Sequence, residues 1–307
     1  MNQLVIGGFE SDWKQGMLYT ALTRCRTAQG LYLDGFKPDA FKSNLDGAME
    51  IERLRKYSLI DQANKRLDFL KNYPPEKWNY ICLQNVRSLN MHKNDILEDP
   101  IIKAAAMVCL TETSLTDNNW DGWKEFKNFS HYHRSRQETE VNQENETRKS
   151  GGVAILISNK YKSNRNEDRE EKNLEMVSTV TEAWGDQIVA SGIYKDHKMP
   201  RKTFLSKMKN VFENHKSSLS IILGDFNLHD ENGKDMEQLH SIAINCGFNP
   251  VIKEGTTING NLLDQVFINN TIGKQCLETA VIPSYFSDHS PVVVCMEKPD
   301  LSSETKM

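Results

Sequence analysis

Apolar and polar positions follow two rhythms along this chain. Short apolar, β-branched runs occur at Trp78–Leu83, Met107–Leu110, Val153–Ser158, Ile188–Tyr194, Leu219–Leu223, Leu262–Ile268 and Pro291–Cys295. Their length and composition predict strands buried on both faces. Between some of them the period becomes helical. Phe204, Leu205, Met208, Val211 and Phe212 share one helical face, as do Met236, Leu239, Ile242, Ala243 and Cys246, with Gly247 as a stop. From Trp78 to Met296 the pattern predicts one α/β domain with a sheet core.

The first 75 residues differ. Met49, Ile51, Leu54, Leu59, Ile60, Ala63, Leu67 and Leu70 give a long, imperfect helical pattern that ends at Pro74-Pro75, a natural boundary. The expected division is 1–47, a helical linker at 48–75, the α/β domain at 76–297, and a disordered tail at 298–307. Two further stretches read as solvated loops: Gln137–Lys149, polar apart from Val141, and Asn159–Asn173, dense in both charge signs.

Composition supports a core. Of 307 residues 38% are hydrophobic and 8% aromatic, which excludes wholesale disorder. The formal charge of −4 is unevenly spread: 11 Lys/Arg against 9 Asp/Glu through Pro75, and 27 against 33 beyond it. That acidic excess excludes a broadly basic nucleic-acid coat. Six scattered cysteines form no CxxC pair, so buried free thiols in a reducing compartment are expected rather than a zinc site. No apolar run reaches the roughly 18 residues of a membrane span. The start MNQLVIGGFESDW has no basic lead into a long apolar stretch, so it is not a secretory signal. An intracellular protein, nuclear or cytoplasmic, with no membrane partner is expected.

Polar residues recur at the ends of the apolar runs: Asn85 after YICLQ, Glu112 after MVCLT, Tyr194 after IVASGI, and Asp225 and Asn227 after SIILG. Asp264 lies within the run that begins at Leu262, and Asp288-His289 shortly precede PVVVC. Ligands of open α/β sheets collect where strand ends meet loops. Taken singly, each residue reads better as a turn former, a helix cap or, for the histidine, a structural side chain. Together they form a chemical set. Glu112, Asp225 and Asp288 offer the oxygen ligands that a hard cation such as Mg²⁺ prefers. Asn85 and Asn227 add neutral polar groups. His289 can donate to a phosphate if a carboxylate such as Asp264 holds its tautomer or proton. Such a set suits metal-assisted phosphodiester hydrolysis.

The ordered motifs Asn85-Val86-Arg87-Ser88-Leu89, Thr111-Glu112-Thr113, Ser150-Gly151-Gly152-Val153-Ala154, Gly192-Ile193-Tyr194, Gly224-Asp225-Phe226-Asn227, Leu263-Asp264 and Ser287-Asp288-His289-Ser290 resemble the endonuclease/exonuclease/phosphatase family over roughly Trp78 to Met296. NVRSL and TET look most like the apurinic-endonuclease-like domains of mobile elements. The resemblance implies a two-sheet β-sandwich flanked by helices, with Mg²⁺ or Mn²⁺ at one end. It implies Glu112 as principal metal ligand, with Asn85 and Asp288 assisting. Tyr194 would contact the scissile phosphate, Asp225 would orient or deprotonate the attacking water, and Asn227 would stabilise the transition state. His289, oriented by Asp264, would bind the phosphate. The sequence around Tyr194, IYKDHKMP, departs from the family's usual Pro-rich form. Arg87, His92, Lys93, Arg134, Arg136, Arg148 and Lys149 are candidates to track a nucleic-acid backbone, with solvated loops as the alternative.

A second resemblance lies at the N-terminus. Gln15–Arg26 (QGMLYTALTRCR) and Gly30–Phe36 (GLYLDGF) resemble the last motif of RecD-like superfamily-1 helicases, in which the Arg24 position senses the nucleotide γ-phosphate. A basic helix–strand unit is the plainer alternative. No GxxxxGK[ST] occurs, so no phosphate-cradling loop accompanies Arg24, and helicase activity is not expected of this chain. A helicase end followed by an endonuclease resembles the C-terminal part of Helitron-like transposon proteins, and suggests a piece of a longer protein. The leading expectation is a Mg²⁺-dependent endonuclease that nicks DNA. A small-molecule phosphoesterase, or a silent nucleic-acid-binding relic, stays open.

Overall fold

The computed structural model describes residues 4–6, 31–34, 59–115, 120–135, 151–229, 234–269, 277–284 and 286–298. The chain divides between Asp61 and Gln62. In the first unit, β1 (Leu4–Ile6) pairs in parallel with β2 (Leu31–Leu33). Arg24 and most of the helicase-like motif lie outside the described residues, as do Lys149, Arg148, Arg136, the polar stretch 137–149 and residues 299–307.

The division falls in the first turn of α1 (Leu59–Asn72), after which follow β3 (Trp78–Asn85), α2 (Leu89–Glu98), α3 (Pro100–Ala104), β4 (Met107–Thr111), β5 (Phe129–Arg134) and β6 (Val153–Ser158). Then come β7 (Lys162–Arg165), β8 (Glu175–Ala183), β9 (Asp186–Tyr194), α4 (Arg201–His215), β10 (Leu219–Asp225) and α5 (Lys234–Asn245). The unit closes with β11 (Phe248–Pro250), β12 (Asp264–Asn269), β13 (Leu277–Val281) and β14 (Val292–Glu297). The strands form two six-stranded sheets, ordered β11-β12-β10-β9-β8-β7 and β13-β14-β3-β4-β6-β5. Each sheet holds one parallel pair, β9–β10 and β3–β4 respectively.

Successive strand side chains point to opposite faces, so a strand buried on both sides serves two cores. Ile81, Leu83, Cys109, Ile155, Ala190, Leu223 and Val294 fill the space between the sheets. Their neighbours Tyr80, Cys82, Val108, Leu156 and Cys295 pack outward with Phe69, Leu89, Ile96 and Trp123. Ile193, Ile222 and Phe267 pack on Phe204, Met208, Phe212, Leu239 and Ala243 of α4 and α5. This is the two-sheet sandwich flanked by helices that the motifs imply. Cys82, Cys109 and Cys295 are buried free thiols, and among the described residues no helix is long and apolar enough to cross a membrane.

Two expectations change. Asn159–Asn173 is built structure rather than a solvated loop. It supplies β7, which is alternately exposed and half-buried, and Glu170, whose side chain is 5% exposed and accepts from Arg134 Nη1 at 3.1 Å and Arg165 Nε at 3.0 Å. Mutual neutralisation lets charged residues pack where a hydrophobic count sees only solvent. The segment read as linker up to residue 75 contributes α1, in which Arg66 and Phe69 are buried while Leu67 is 57% exposed. Arg66 Nε pairs with Asp99 Oδ2 at 2.7 Å, so a charged residue occupies the face that the apolar pattern had assigned to leucines. The part of that pattern before Leu59 lies outside the described residues.

Candidate active site

The pairing of strands brings the motifs to one end of the sandwich. Parallel β3 and β4 finish together, with Asn85 opposite Thr111, and Glu112 follows. Parallel β9 and β10 finish with Tyr194 opposite Asp225. Antiparallel β12 begins at the same level, with Asp264 opposite Asp225. Antiparallel β14 starts with Val292 opposite Leu83, which sets His289 just beyond this end. Gly224 permits the close approach of β10 to β9, since a Cβ there would sit 1.9 Å from the Ile193 carbonyl oxygen.

The loops interlock. Val86 N–H donates to Thr111 O at 2.9 Å and Leu89 N–H to Thr113 O at 2.9 Å. Ser114 N–H donates to Gly151 O at 2.7 Å, and Gly152 N–H to Glu175 Oε2 at 2.5 Å. Within this frame Arg87, Glu112 and Asn227 hold positive φ values of 54°, 51° and 42°. Non-glycine residues persist there only when their surroundings over-determine them, and such strain gathers at functional sites.

Asn85 is the hub. Its Nδ2 donates to Glu112 Oε1 at 3.0 Å and to Asp225 Oδ2 at 2.9 Å, while its Oδ1 accepts from Arg87 N–H at 3.0 Å. The amide thus orients both carboxylates, and its own oxygen is engaged by backbone. Tyr194 Oη donates to Glu112 Oε1 at 3.1 Å. Asp225 Oδ1 accepts from Asn227 N–H at 3.0 Å. His289 Nδ1 lies 2.7 Å from Asp264 Oδ2 and 3.9 Å from Asp225 Oδ2. Thr256 Oγ1 accepts from the backbone of Leu263 and Asp264, each at 3.1 Å, and Thr256 O accepts from Ser290 N–H at 2.7 Å, tying the two motif loops together.

Electrostatics follow from burial. Burial, then the charge of Asp264, lifts the Asp225 carboxyl to about 8, against the pull of His289, the Asn85 amide and the Asn227 N–H. Burial alone would push His289 down. The hydrogen bond and charge of Asp264, with Asp225 and Asp288 beyond, outweigh it and raise the imidazole to about 9. His289 is therefore a cation at neutral pH, held by Asp264.

A cleft of about 180 Å³ opens at this end, lined by Arg87, Glu112, His197, Asn227, His229, Asp288 and His289 among others. Arg87 Nε pairs with Asp288 Oδ1 at 3.3 Å across it. Asp225, fully buried, stands behind that wall. A larger groove of about 840 Å³ at the opposite end of β3 includes Lys103, Lys160 and Lys298, and its one carboxylate is Glu76. It lacks the carboxylate–imidazole set, so the smaller cleft is the candidate site. His92 pairs with Asp95, Lys93 with Glu125, and Arg134 with Glu170, so these three backbone-tracking candidates are already engaged. Sequence reasoning missed Lys195 and His197, though both directly follow the Tyr194 motif. It also drew no role for His229.

Two groups offer cation ligands. Asp225, Asp264 and His289 present ligand atoms within 4.8 Å of one another. There a cation would have to displace the proton between His289 and Asp264. Glu112 fits better. Its Oε1 accepts from Asn85 and Tyr194, leaving Oε2 free, and Asp288 lines the same cleft. Oxygen donors beside open space suit Mg²⁺ or Mn²⁺, which keep several waters.

Comparison with known proteins agrees with this geometry. Residues 188–293 match a family model described as "Endonuclease-reverse transcriptase". No curated protein matches the sequence. The endonuclease domain of TRAS1, a telomere-specific non-LTR retrotransposon, superposes with a TM-score of 0.56 at 14% identity, over 73% of this chain and 100% of that one. The AP endonuclease LMAP from Leishmania major gives 0.56 at 14%, over 75% and 90%. An AP endonuclease from Archaeoglobus fulgidus gives 0.51 at 13%, over 70% and 98%. Motif order, matched segment and fold agree: the chain shares the fold of these endonucleases, and residues 188–293 match the family model.

Proposed function

We propose that this domain is a divalent-metal-dependent phosphodiester hydrolase that nicks DNA. The observation that carries the reading is the convergence of Glu112, Asn227 and His289 on one cleft, with Asp264 and Asp225 buried behind them. Glu112, with Asp288 and the Asn85 amide that orients it, would hold Mg²⁺ or Mn²⁺. When bound, the cation supplies Lewis-acid stabilisation of phosphate charge.

The chain's own residues supply the rest. His289, cationic through Asp264, donates to a non-bridging phosphate oxygen. Asn227 donates its side-chain N–H to the oxygen that gains charge. Tyr194 steadies Glu112 and reaches the phosphate from the same side. Asp225, fixed by the Asn85 amide and the Asn227 N–H, would orient or deprotonate the attacking water. Arg87, once released from Asp288, contacts the flanking backbone; Lys149, given the same role by the sequence, lies outside the described residues. The acidic surface suits local grip over broad attraction. Likeness to a retrotransposon endonuclease and to AP endonucleases supports DNA as substrate and a mobile-element origin. The Helitron-like reading of the N-terminal motif around Arg24 rests on sequence alone.

The test compares plain duplex, abasic duplex and inositol phosphates, with Mg²⁺, Mn²⁺ or chelator. Nicking that needs metal, and that falls at least about 10²-fold in Asn227→Ala and likewise in His289→Ala, supports the reading. Metal-independent nicking, or full activity in both variants, refutes it.

A further inference from the structure

Lys195 follows Tyr194 at the end of β9 and is only 5% exposed. Three bonds join it to the turn that closes β10. Its N–H donates to Asp225 O at 2.9 Å, its carbonyl accepts from Asn227 Nδ2 at 2.8 Å, and its Nζ donates to Asn227 O at 3.4 Å. The remaining Nζ contacts are Asp196 O at 3.3 Å and the Phe204 ring, 5.8 Å to its centroid. Among the described residues no carboxylate lies within ion-pair distance of it. Burial pushes the amine down, while Asp196, Asp225 and Asp235 pull it up from farther away.

A buried ammonium held by long carbonyl contacts is a poor device for stability, because its hydration is only partly replaced. Its place in the site supplies another reason for it. Asn227 sits at positive φ, and one of its two amide N–H groups is spent on Lys195 O, which aims the other. The Nζ contact fixes the carbonyl of that same strained residue. We infer that Lys195 is a positioning residue for phosphodiester cleavage. It clamps the Asp225–Asn227 turn so that Asn227 presents its free amide N–H to the phosphate, and its buried charge raises the positive potential there. The inference rests on the phosphodiesterase reading of the cleft. Preorganised donors work because they need no reorganisation at the moment of reaction.

The test is a double-mutant cycle on Mg²⁺-dependent nicking by the full chain, joined to hydrogen exchange at the Asn227 backbone amide. Lys195→Met should lower kcat roughly tenfold with KM little changed, and Lys195→Arg should recover most of the loss. In an Asn227→Ala background the same change should cost almost nothing, because Lys195 acts through Asn227. Exchange protection of the Asn227 N–H should fall in Lys195→Met, with or without substrate. Lys195→Gln, uncharged but polar, serves if Lys195→Met does not fold. An equal loss in both backgrounds, or unchanged kcat and protection, overturns the clamp. If the wild type hydrolyses nothing, the functional reading fails while the exchange result still decides the clamp.

Discussion

His289 Nδ1 lies 2.7 Å from Asp264 Oδ2 with both side chains buried, and this pair ties the stability of the domain to pH. The His289 imidazole is held at about 9 against an ordinary 6.5, so its stabilisation is complete below pH 6.5 and lost as pH rises through 9. Asp225, at about 8 against 3.8, also binds its proton more tightly in the folded state. Both shifts have one sign. These two groups hold more protons folded than unfolded, so their contribution falls as pH rises, while buried His133 and His215, pushed down to about 4, work the other way around and below their ordinary 6.5. Above the range in which those histidines titrate, melting in chelator from pH 7.5 to pH 9.5 should show Tm decreasing, with a shallower fall in His289→Asn. A Tm that climbs toward pH 9 would contradict this coupling.

Glu170 anchors the charged stretch. Its carboxylate accepts from Arg134, from Arg165 at two nitrogens, and from Ser178 N–H at 3.1 Å. Glu170→Ala would leave partly buried guanidinium groups without their anion, at a cost of ~3–5 kcal/mol. Urea unfolding should show that loss, and Glu170→Gln a smaller one. Exposed Lys162, paired at 3.7 Å with Glu182, should lose almost nothing on change to Ala. Equal effects at the two sites would return this stretch to a solvated loop.

Glu170 also shows where sequence reading reaches its limit. The strands that carry site residues were legible because each is apolar on both faces, and the site residues because each follows or breaks such a run. Asn85, Asp225 and Tyr194 are plain in this way. β7 was not, and α1 was legible as a helix but not in the face it buries, because paired charges, Arg165 with Glu170 and Arg66 with Asp99, take inward positions and their partners are set by tertiary structure. Asp225 was legible as a site residue, but not its place behind the cleft wall, since burial depends on how His289 and Asn227 close over it. Lys195 was overlooked for a related reason. A lysine after a strand normally faces water, and only the β9–β10 register places it under Asn227.

Arg87 and Asp288 face each other across the cleft at 3.3 Å, with side chains 55% and 38% exposed. Under the proposed function Asp288 assists the cation and Arg87 grips the backbone of the nucleic acid, so the ion pair sets two binding events against each other. A cation drawn to Asp288 frees Arg87, and Arg87 in turn competes for the carboxylate. Solvent screens so exposed a pair, so the competition is worth at most about 1 kcal/mol, or roughly fivefold in affinity. Arg87→Met should therefore tighten Mg²⁺ binding up to about fivefold, measured by calorimetry without substrate, and should raise KM for DNA. Added salt should shrink the difference in Mg²⁺ affinity between wild type and variant, because it weakens the native pair first. Weaker Mg²⁺ binding in Arg87→Met would mean that the guanidinium organises Asp288 for the cation instead of competing with it.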